Sequence, residues 1–258
     1  MNDLIMETKD LTVSFGGLKA VNHVNFALRK GEIHGLIGPN GAGKTTFFNI
    51  LTGLYKPSEG EILFNGKIIA GKKPWDIARL GICRTFQNLQ LFADMSVIDN
   101  LVAAQNLRHR INVFDSLLRT PYYKKTEKEM YEKAEQLLEF IGLADQRNNL
   151  PKNLSYGHQR LLEIARAMAT DPAVILLDEP AAGMNAGEID ELMEIILKVR
   201  NLGITIVLIE HNMKCAMTVC DIITVLDSGK KIAEGVPSEI QNNKAVIEAY
   251  LGKRAAHA

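Results

Sequence analysis

An apolar run at residues 33–37 passes straight into Gly38-Pro39-Asn40-Gly41-Ala42-Gly43-Lys44-Thr45, and a helical pattern follows over residues 45–54. Few folds accept a buried strand, a glycine-rich loop and a helix in that order. The loop fits G-x-x-x-x-G-K-[ST] without deviation. Its glycines let the backbone wrap so that successive N–H groups point inward at phosphate oxygens. The helix that follows adds its positive N-terminal end. Gly38, Pro39, Asn40, Gly41, Ala42, Gly43, Lys44, Thr45 and Thr46 are therefore the expected nucleotide cradle. Lys44 is expected to reach the β- and γ-phosphates, and the Thr45 hydroxyl to ligate Mg²⁺. A glycine-rich turn that binds nothing is the competing reading, and the placement between strand and helix argues against it.

A second apolar run, Val174-Ile175-Leu176-Leu177-Asp178-Glu179, ends in two acids. Functional groups collect at the carboxyl ends of strands in open α/β sheets. Asp178 is the expected Mg²⁺ ligand, directly or through water, and Glu179 the expected group that orients and deprotonates an attacking water. Alone, such an ending is a common solvated terminus; downstream of the loop at residues 38–45 it becomes one half of an ATP-hydrolysing pair. A GTPase would usually add Asn-Lys-x-Asp, and the nearest text, Asn243-Lys244-Ala245-Val246, lacks the aspartate.

The rest of the chain fits one α/β domain over residues 1–258. Short β-like segments at 11–15, 22–28 and 32–37 precede the loop, and Asn65-Gly66 between two further runs is a strong hairpin signal. Residues 96–143 are helical in character and more charged. After Leu154 strand and helix alternate again, which implies a mostly parallel sheet with helices on its faces. The expected organisation is a nucleotide-binding core with an N-terminal antiparallel β subdomain (residues 1–94 and 158–258) and an inserted helical subdomain (residues 95–157).

Thirty basic residues balance thirty acidic ones, so no net field favours nucleic acid. The longest apolar runs are strand-sized, short of the ~20 residues that span a bilayer. The first residues, Met1-Asn2-Asp3, lack the basic and apolar regions of a signal peptide. Cys83, Cys215 and Cys220 form no C-x-x-C pair. A reduced, cytosolic setting without disulfide or zinc is expected.

Further motifs stand in a fixed order. Asn153-Leu154-Ser155-Tyr156-Gly157-His158-Gln159-Arg160 resembles the Leu-Ser-Gly-Gly-Gln signature of the ATP-binding cassette (ABC) family. Arg84-Thr85-Phe86-Gln87-Asn88 looks like that family's Q-loop, and Ile209-Glu210-His211-Asn212 like its switch histidine. Phe15, in Val13-Ser14-Phe15-Gly16-Gly17, matches the aromatic that stacks on adenine. The resemblance spans nearly the whole chain and implies a P-loop NTPase (RecA-like) fold. It further implies catalytic roles for Lys44, Glu179 and His211, nucleotide contacts by Phe15, Gln87, Ser155, Gly157 and Gln159, and metal contacts by Thr45, Gln87 and Asp178. The chain departs from the family pattern at Tyr156, where a glycine is usual, at His158, which sits between Gly157 and Gln159, and at Asn185, where aspartate is common. Asn185-Ala186-Gly187-Glu188 also suits a capping box, a purely structural role.

The sequence looks closest to an ATPase subunit of the branched-chain amino-acid importers. Arg84 to Gln87 with Leu91-Phe92, the insert around residues 107–126, the Tyr-Gly-x-Gln signature and Glu179 to Asn185 carry that likeness. It implies ATP and Mg²⁺ as ligands and a second, related ATPase subunit packed head to tail. Two polytopic membrane subunits and an external substrate-binding protein complete the assembly it implies. The chain would then sit peripherally on the cytoplasmic face of the inner membrane. The insert is expected to be helix and loop next to the membrane-subunit contact, with Val113, Phe114, Leu117 and Leu118 beside Arg108, Arg110 and Arg119. Importers of urea or other amides remain open at this point, as does a soluble ABC ATPase acting outside transport.

Overall fold

The computed structural model describes residues 3–108 and 118–255; Arg110, Val113, Phe114 and Leu117 of the expected partner surface lie outside them. The described residues form two sheets. A four-stranded antiparallel sheet has the order β2-β1-β4-β5, built from β1 (Leu4–Phe15), β2 (Leu18–Arg29), β4 (Glu59–Phe64) and β5 (Lys67–Ile68). Asn65 and Gly66 both take positive φ (49° and 73°) at the β4–β5 turn, as a two-residue type I′ hairpin requires. The second sheet has six strands in the order β10-β9-β3-β8-β7-β6. These are β3 (Ile33–Ile37), β6 (Ile82–Arg84), β7 (Val174–Asp178), β8 (Thr205–Ile209), β9 (Ile222–Asp227) and β10 (Lys230–Gly235). Neighbours are parallel except β10, which returns antiparallel to β9.

Every residue of β3, β7 and β8 is buried, because both faces of this sheet are covered. On one face Val174, Leu176, Val207 and Ile209 join Phe26, Phe47 and Phe48. Here α1 (Lys44–Leu51) lies between the two sheets, with the Phe26 and Phe47 rings 5.4 Å apart. On the other face Ile175, Leu177, Ile206 and Leu208 meet α3 (Val97–Gln105), α4 (Pro121–Phe140), α5 (Tyr156–Met168), α6 (Ala186–Asn201) and α7 (Met213–Val219). The period-two alternation of these strands thus feeds two cores at once. A short helix, α2 (Pro74–Leu80), precedes β6; α8 (Pro237–Gln241) and α9 (Lys244–Ala255) close the chain.

The strand order sets the site. Because β3 lies beside β8 and β8 beside β7, the loop after β3, the acids after β7 and the Glu210-His211 pair after β8 emerge side by side at one sheet edge. β1 runs longer than its apolar pattern. β1 starts at Leu4 instead of Leu11, through a polar stretch with Glu7, Lys9 and Asp10, and its pairing to β2 shifts register between Thr8 and Leu11. Asp10 takes φ 47° at that irregularity, which breaks the alternation a regular strand would show.

Candidate nucleotide site

The loop after β3 is pressed against its neighbours by two glycines. A Cβ on Gly38 (φ 149°) would lie 2.1 Å from the Leu226 carbonyl oxygen, and one on Gly43 (φ 99°) 2.3 Å from the Ala20 carbonyl oxygen. No side chain fits at either position. The Lys44 ammonium donates to the carbonyls of Gly38 (2.7 Å) and Pro39 (3.1 Å), so it spans the loop from inside. Phe15, Lys19, Asn40, Lys44, Glu179 and His211 are among the residues that line a cleft of about 640 Å³ over the loop. Thr45 and Thr46 face it as well. That volume, with an ammonium and a carboxylate among its lining residues, suits a nucleotide. The Phe15 ring sits at the cleft's edge, half-exposed, with the Tyr55 ring edge-on at 5.3 Å.

Opposite the loop, Glu179 takes φ 50° immediately after β7. A bulky residue in the left-handed region is uncommon and is held only by its surroundings. Its N–H donates to Ile209 (2.9 Å), fixing it to the end of β8. One carboxylate oxygen lies 2.9 Å from His211 Nε2, and the other accepts from the Gln87 amide at 3.1 Å. Three segments from distant parts of the chain therefore meet on one carboxylate. Asp178, one residue earlier, is buried and paired with Arg84 at 2.5 Å. Arg84 also donates to Asn49 of α1 (2.6 Å) and lies against the Phe48 and Phe86 rings. The second carboxylate oxygen of Asp178 keeps its own lone pairs. With the Thr45 hydroxyl and the Gln87 amide oxygen it would offer an all-oxygen donor set of low charge. A small hard cation that retains waters and phosphate oxygens needs no more than one or two protein carboxylates, so the set fits Mg²⁺.

Ser155 caps α5, its hydroxyl accepting from the His158 N–H at 3.2 Å. A Cβ on Gly157 would lie 2.8 Å from Glu188 Cδ, so glycine lets α5 approach the start of α6. Asn185 and Glu188 form the expected capping box there, each side chain accepting from the other's N–H. Gln159 turns its amide back to the Leu154 carbonyl (3.1 Å).

Comparison with known proteins decides the family. Residues 21–182, more than half the chain, match the model of the ABC transporter family. Residues 230–256 match a second model, that of the branched-chain amino acid ATP-binding cassette transporters. The chain belongs to the ATP-binding subunits of the ABC transporter family. It is an ATPase of P-loop fold. Over 254 residues, 98% of this chain and all of the relative, it is 48% identical to the high-affinity branched-chain amino acid transport ATP-binding protein LivG of Escherichia coli (strain K12). It is 45% identical, with the same coverage, to the protein BraF of Pseudomonas aeruginosa, which carries the same descriptive name. Among solved structures, the ADP conformation of an ATP-binding cassette of an ABC transporter superposes with a TM-score of 0.85 at 34% identity. That match covers 96% of this chain and 99% of the other.

Within this ABC ATPase the expected residues divide into groups. Phe15, Asn40 to Thr46, Glu179 and His211 line the cleft; Gly38 and Pro39 lie behind it as acceptors for Lys44; Gln87 reaches it through Glu179. Ser155, Gly157 and Gln159 are not among the residues lining it. Counted without a gap against Leu-Ser-Gly-Gly-Gln, the fifth signature position is His158, and Gln159 is occupied with Leu154. Arg84 and Glu210, present in the motifs but given no role there, and Asn49, which no motif contains, are the residues the structure adds. Glu210 is buried and accepts three backbone N–H groups, from Ala181 (2.7 Å), His211 (3.0 Å) and Asn212 (3.0 Å).

Burial pushes the Glu210 carboxyl above its ordinary value, against the pull of those three N–H groups. The folded chain then holds this proton more tightly than the unfolded chain. The stability this contributes is present at acid pH and falls as pH rises from the usual carboxylate range through the raised value. Glutamine at 210 offers one acceptor oxygen and turns an NH₂ toward N–H donors. Glu210→Gln is expected to cost about 1–3 kcal/mol of stability, the range for a buried group left unsatisfied. Because only wild type carries the titrating group, the deficit of the variant shrinks as pH rises through that window. Thermal melts of both proteins from acid to neutral pH check the sign.

Proposed function

We propose that this chain is the ATP-hydrolysing subunit of an importer for branched-chain amino acids, driven with a second, related ATPase subunit. The observation that carries the reading is the end-to-end identity with LivG, joined to the match of residues 230–256 to the branched-chain family model. Adenine stacks on Phe15. The N–H groups of residues 38–46 and the Lys44 ammonium hold the β- and γ-phosphates. Thr45, Asp178 and Gln87 would hold Mg²⁺, whose charge, when bound, offsets that of the phosphate oxygens. Glu179 takes the proton of the attacking water, and His211 orients Glu179 and the γ-phosphate. Ser155 and Gly157, away from this chain's own cleft, act on the nucleotide of the partner subunit, each subunit completing the other's site. ATP binding favours that closed pair, and loss of the γ-phosphate releases it.

Among the described residues no helix is long and apolar enough to cross a membrane. The chain works peripherally, on the cytoplasmic face of the inner membrane, held by two polytopic subunits that receive their amino acid from an external binding protein. Their contact is a groove of about 370 Å³ between α2 and β6 on one side and α3 and α5 on the other, where Leu54, Phe86, Phe92 and Leu107 offer apolar surface. Phe86, one residue before Gln87, lines it, so a membrane-subunit helix seated there feels movement of the loop that touches Glu179. A strain lacking this gene should lose uptake of labelled leucine, regain it with the wild-type chain, and not regain it with Glu179→Gln. Undiminished leucine uptake in the deletion strain sinks the reading.

A further inference from the structure

We propose that Arg160, seated on Tyr156, is the positioning residue that clamps the Gln87 loop to the start of α5 and so sets the aim of Gln87 at Glu179. The proposal rests on the reading of Gln87 and Glu179 as hydrolytic groups. Arg160 is 2% exposed, a buried cation in the first turns of the signature helix. Its Nη1 donates to the Phe86 carbonyl (3.0 Å) and to Glu163 Oε2 (3.2 Å). Its Nη2 donates to the Gln87 carbonyl (2.5 Å) and to Tyr156 Oη (2.7 Å). Glu163, equally buried, accepts the Phe86 N–H at 3.4 Å on its other oxygen. The ion pair therefore grips Phe86 by both its N–H and its carbonyl, and Gln87 by its carbonyl.

The rigid fork of a guanidinium suits this arrangement, because two nitrogens serve two successive carbonyls at fixed spacing. Its Nε finds no hydrogen-bond partner although buried, so the group sits where the loop carbonyls require and leaves one donor unsatisfied. Tyr156 supplies what a glycine at the same position could not. Its hydroxyl accepts from Nη2, and its ring lies 5.2 Å from the guanidinium carbon. The same ring meets the loop after β7: a Cβ on Gly183 (φ 80°) would lie 3.2 Å from Tyr156 Cε1. The Q-loop, the signature helix and the loop leading to α6 thus converge on one tyrosine–arginine pair. A change in any one of them shifts the backbone that carries Gln87.

The test is a double-mutant cycle on ATPase kcat, made in the assembled ATPase pair. Arg160→Met is expected to lower kcat about a hundredfold, the scale of a misplaced catalytic group. Tyr156→Phe keeps the ring and removes only the acceptor; it should lower kcat about tenfold, comparable to one hydrogen bond to a charged group. KM for ATP should be unchanged in Arg160→Met, because Arg160 is buried and lies outside the cleft. In a Gln87→Ala background both further losses should vanish, since coupled residues are non-additive. Equal losses with and without Gln87, when Gln87→Ala itself lowers kcat, overturn the proposal. If Arg160→Met does not fold, Tyr156→Phe carries the cycle alone. Hydrogen exchange of the amides at 86–88 gives the second readout. Faster exchange in Tyr156→Phe supports the clamp even where Gln87→Ala proves silent, an outcome that would fault the reading of Gln87 instead. Unchanged exchange overturns the clamp.

Discussion

Glu179→Gln should bind ATP as wild type does and hydrolyse almost none. Glu179 is fixed by an N–H bond to Ile209 and sits between His211 Nε2 at 2.9 Å and the Gln87 amide at 3.1 Å. Both neighbours can donate to a carboxylate, and together they hold its oxygens toward the cleft. Glutamine keeps the length and one acceptor oxygen, but an amide cannot take a proton from water. General-base contributions amount to about 10²–10⁴-fold in rate, and the variant should lose that much. Removing one negative charge beside a triphosphate strengthens nucleotide binding if it changes it at all. Unhydrolysed ATP then holds two cassettes closed, so an ATP-dependent dimer should appear by light scattering, with the natural partner where the homodimer is weak. Hydrolysis within about tenfold of wild type, less than a general base supplies, would mean the base lies elsewhere. Inactivity without any ATP-dependent dimer, even with the partner carrying the matching change, defeats the reading in which each subunit completes the other's site.

The parts of the molecule legible in the sequence are those whose physics is local. The apolar strand, glycine-rich loop and helix at residues 33–54 announce themselves because the backbone path itself demands those residue types, and the parallel sheet follows from strand–helix alternation. Asn65-Gly66 needed nothing beyond its own two residues to define a hairpin. What escaped was set by distant partners. Glu7, Lys9 and Asp10 lie outside the β-like segment at residues 11–15, yet β1 pairs on both sides, with β2 and β4, and draws them into a sheet. Arg84 and Asp178 are 94 residues apart and meet only because β6 and β7 are neighbours. Arg160 and Glu210 look like solvated charges in a string of letters. Their burial follows from carbonyls and N–H groups supplied by other loops. The C-terminal helices α8 and α9 carry few strongly patterned apolar residues, and Ile240 and Val246 alone are buried among their described side chains. So few buried apolar side chains among those described leave little periodicity to read.

Lys44→Ala should remove both halves of the activity, weakening ATP binding and stopping turnover. The Lys44 side chain is 6% exposed and donates to the carbonyls of Gly38 and Pro39. Those bonds hold the ammonium inside the arc of the loop, where the β- and γ-phosphates of a bound nucleotide would lie. A charge-assisted hydrogen bond is worth about 1.5–3 kcal/mol, so its loss weakens binding by roughly ten- to a hundredfold. The chemical step suffers separately, because negative charge on the phosphate oxygens loses a preorganised donor in a partly dry cleft; one such donor is worth about 10²–10³ in kcat. Stability should change far less. The arc also rests on backbone bonds, Ala42 N–H to Pro39 and Gly229 N–H to Ala42, and on the close packing of Gly38 and Gly43, none of which alanine removes. Lys44→Arg separates charge from shape: it keeps the cation but places a wide planar fork where a compact ammonium stood, and it should restore some binding without restoring turnover. Nucleotide titration by fluorescence or calorimetry, phosphate release and a thermal melt on the same preparations distinguish these effects. Wild-type turnover in Lys44→Ala would mean that the loop after β3 is not the phosphate site. Lost turnover with a collapsed melting curve would mean that Lys44 holds the loop together and that its catalytic share is smaller than argued.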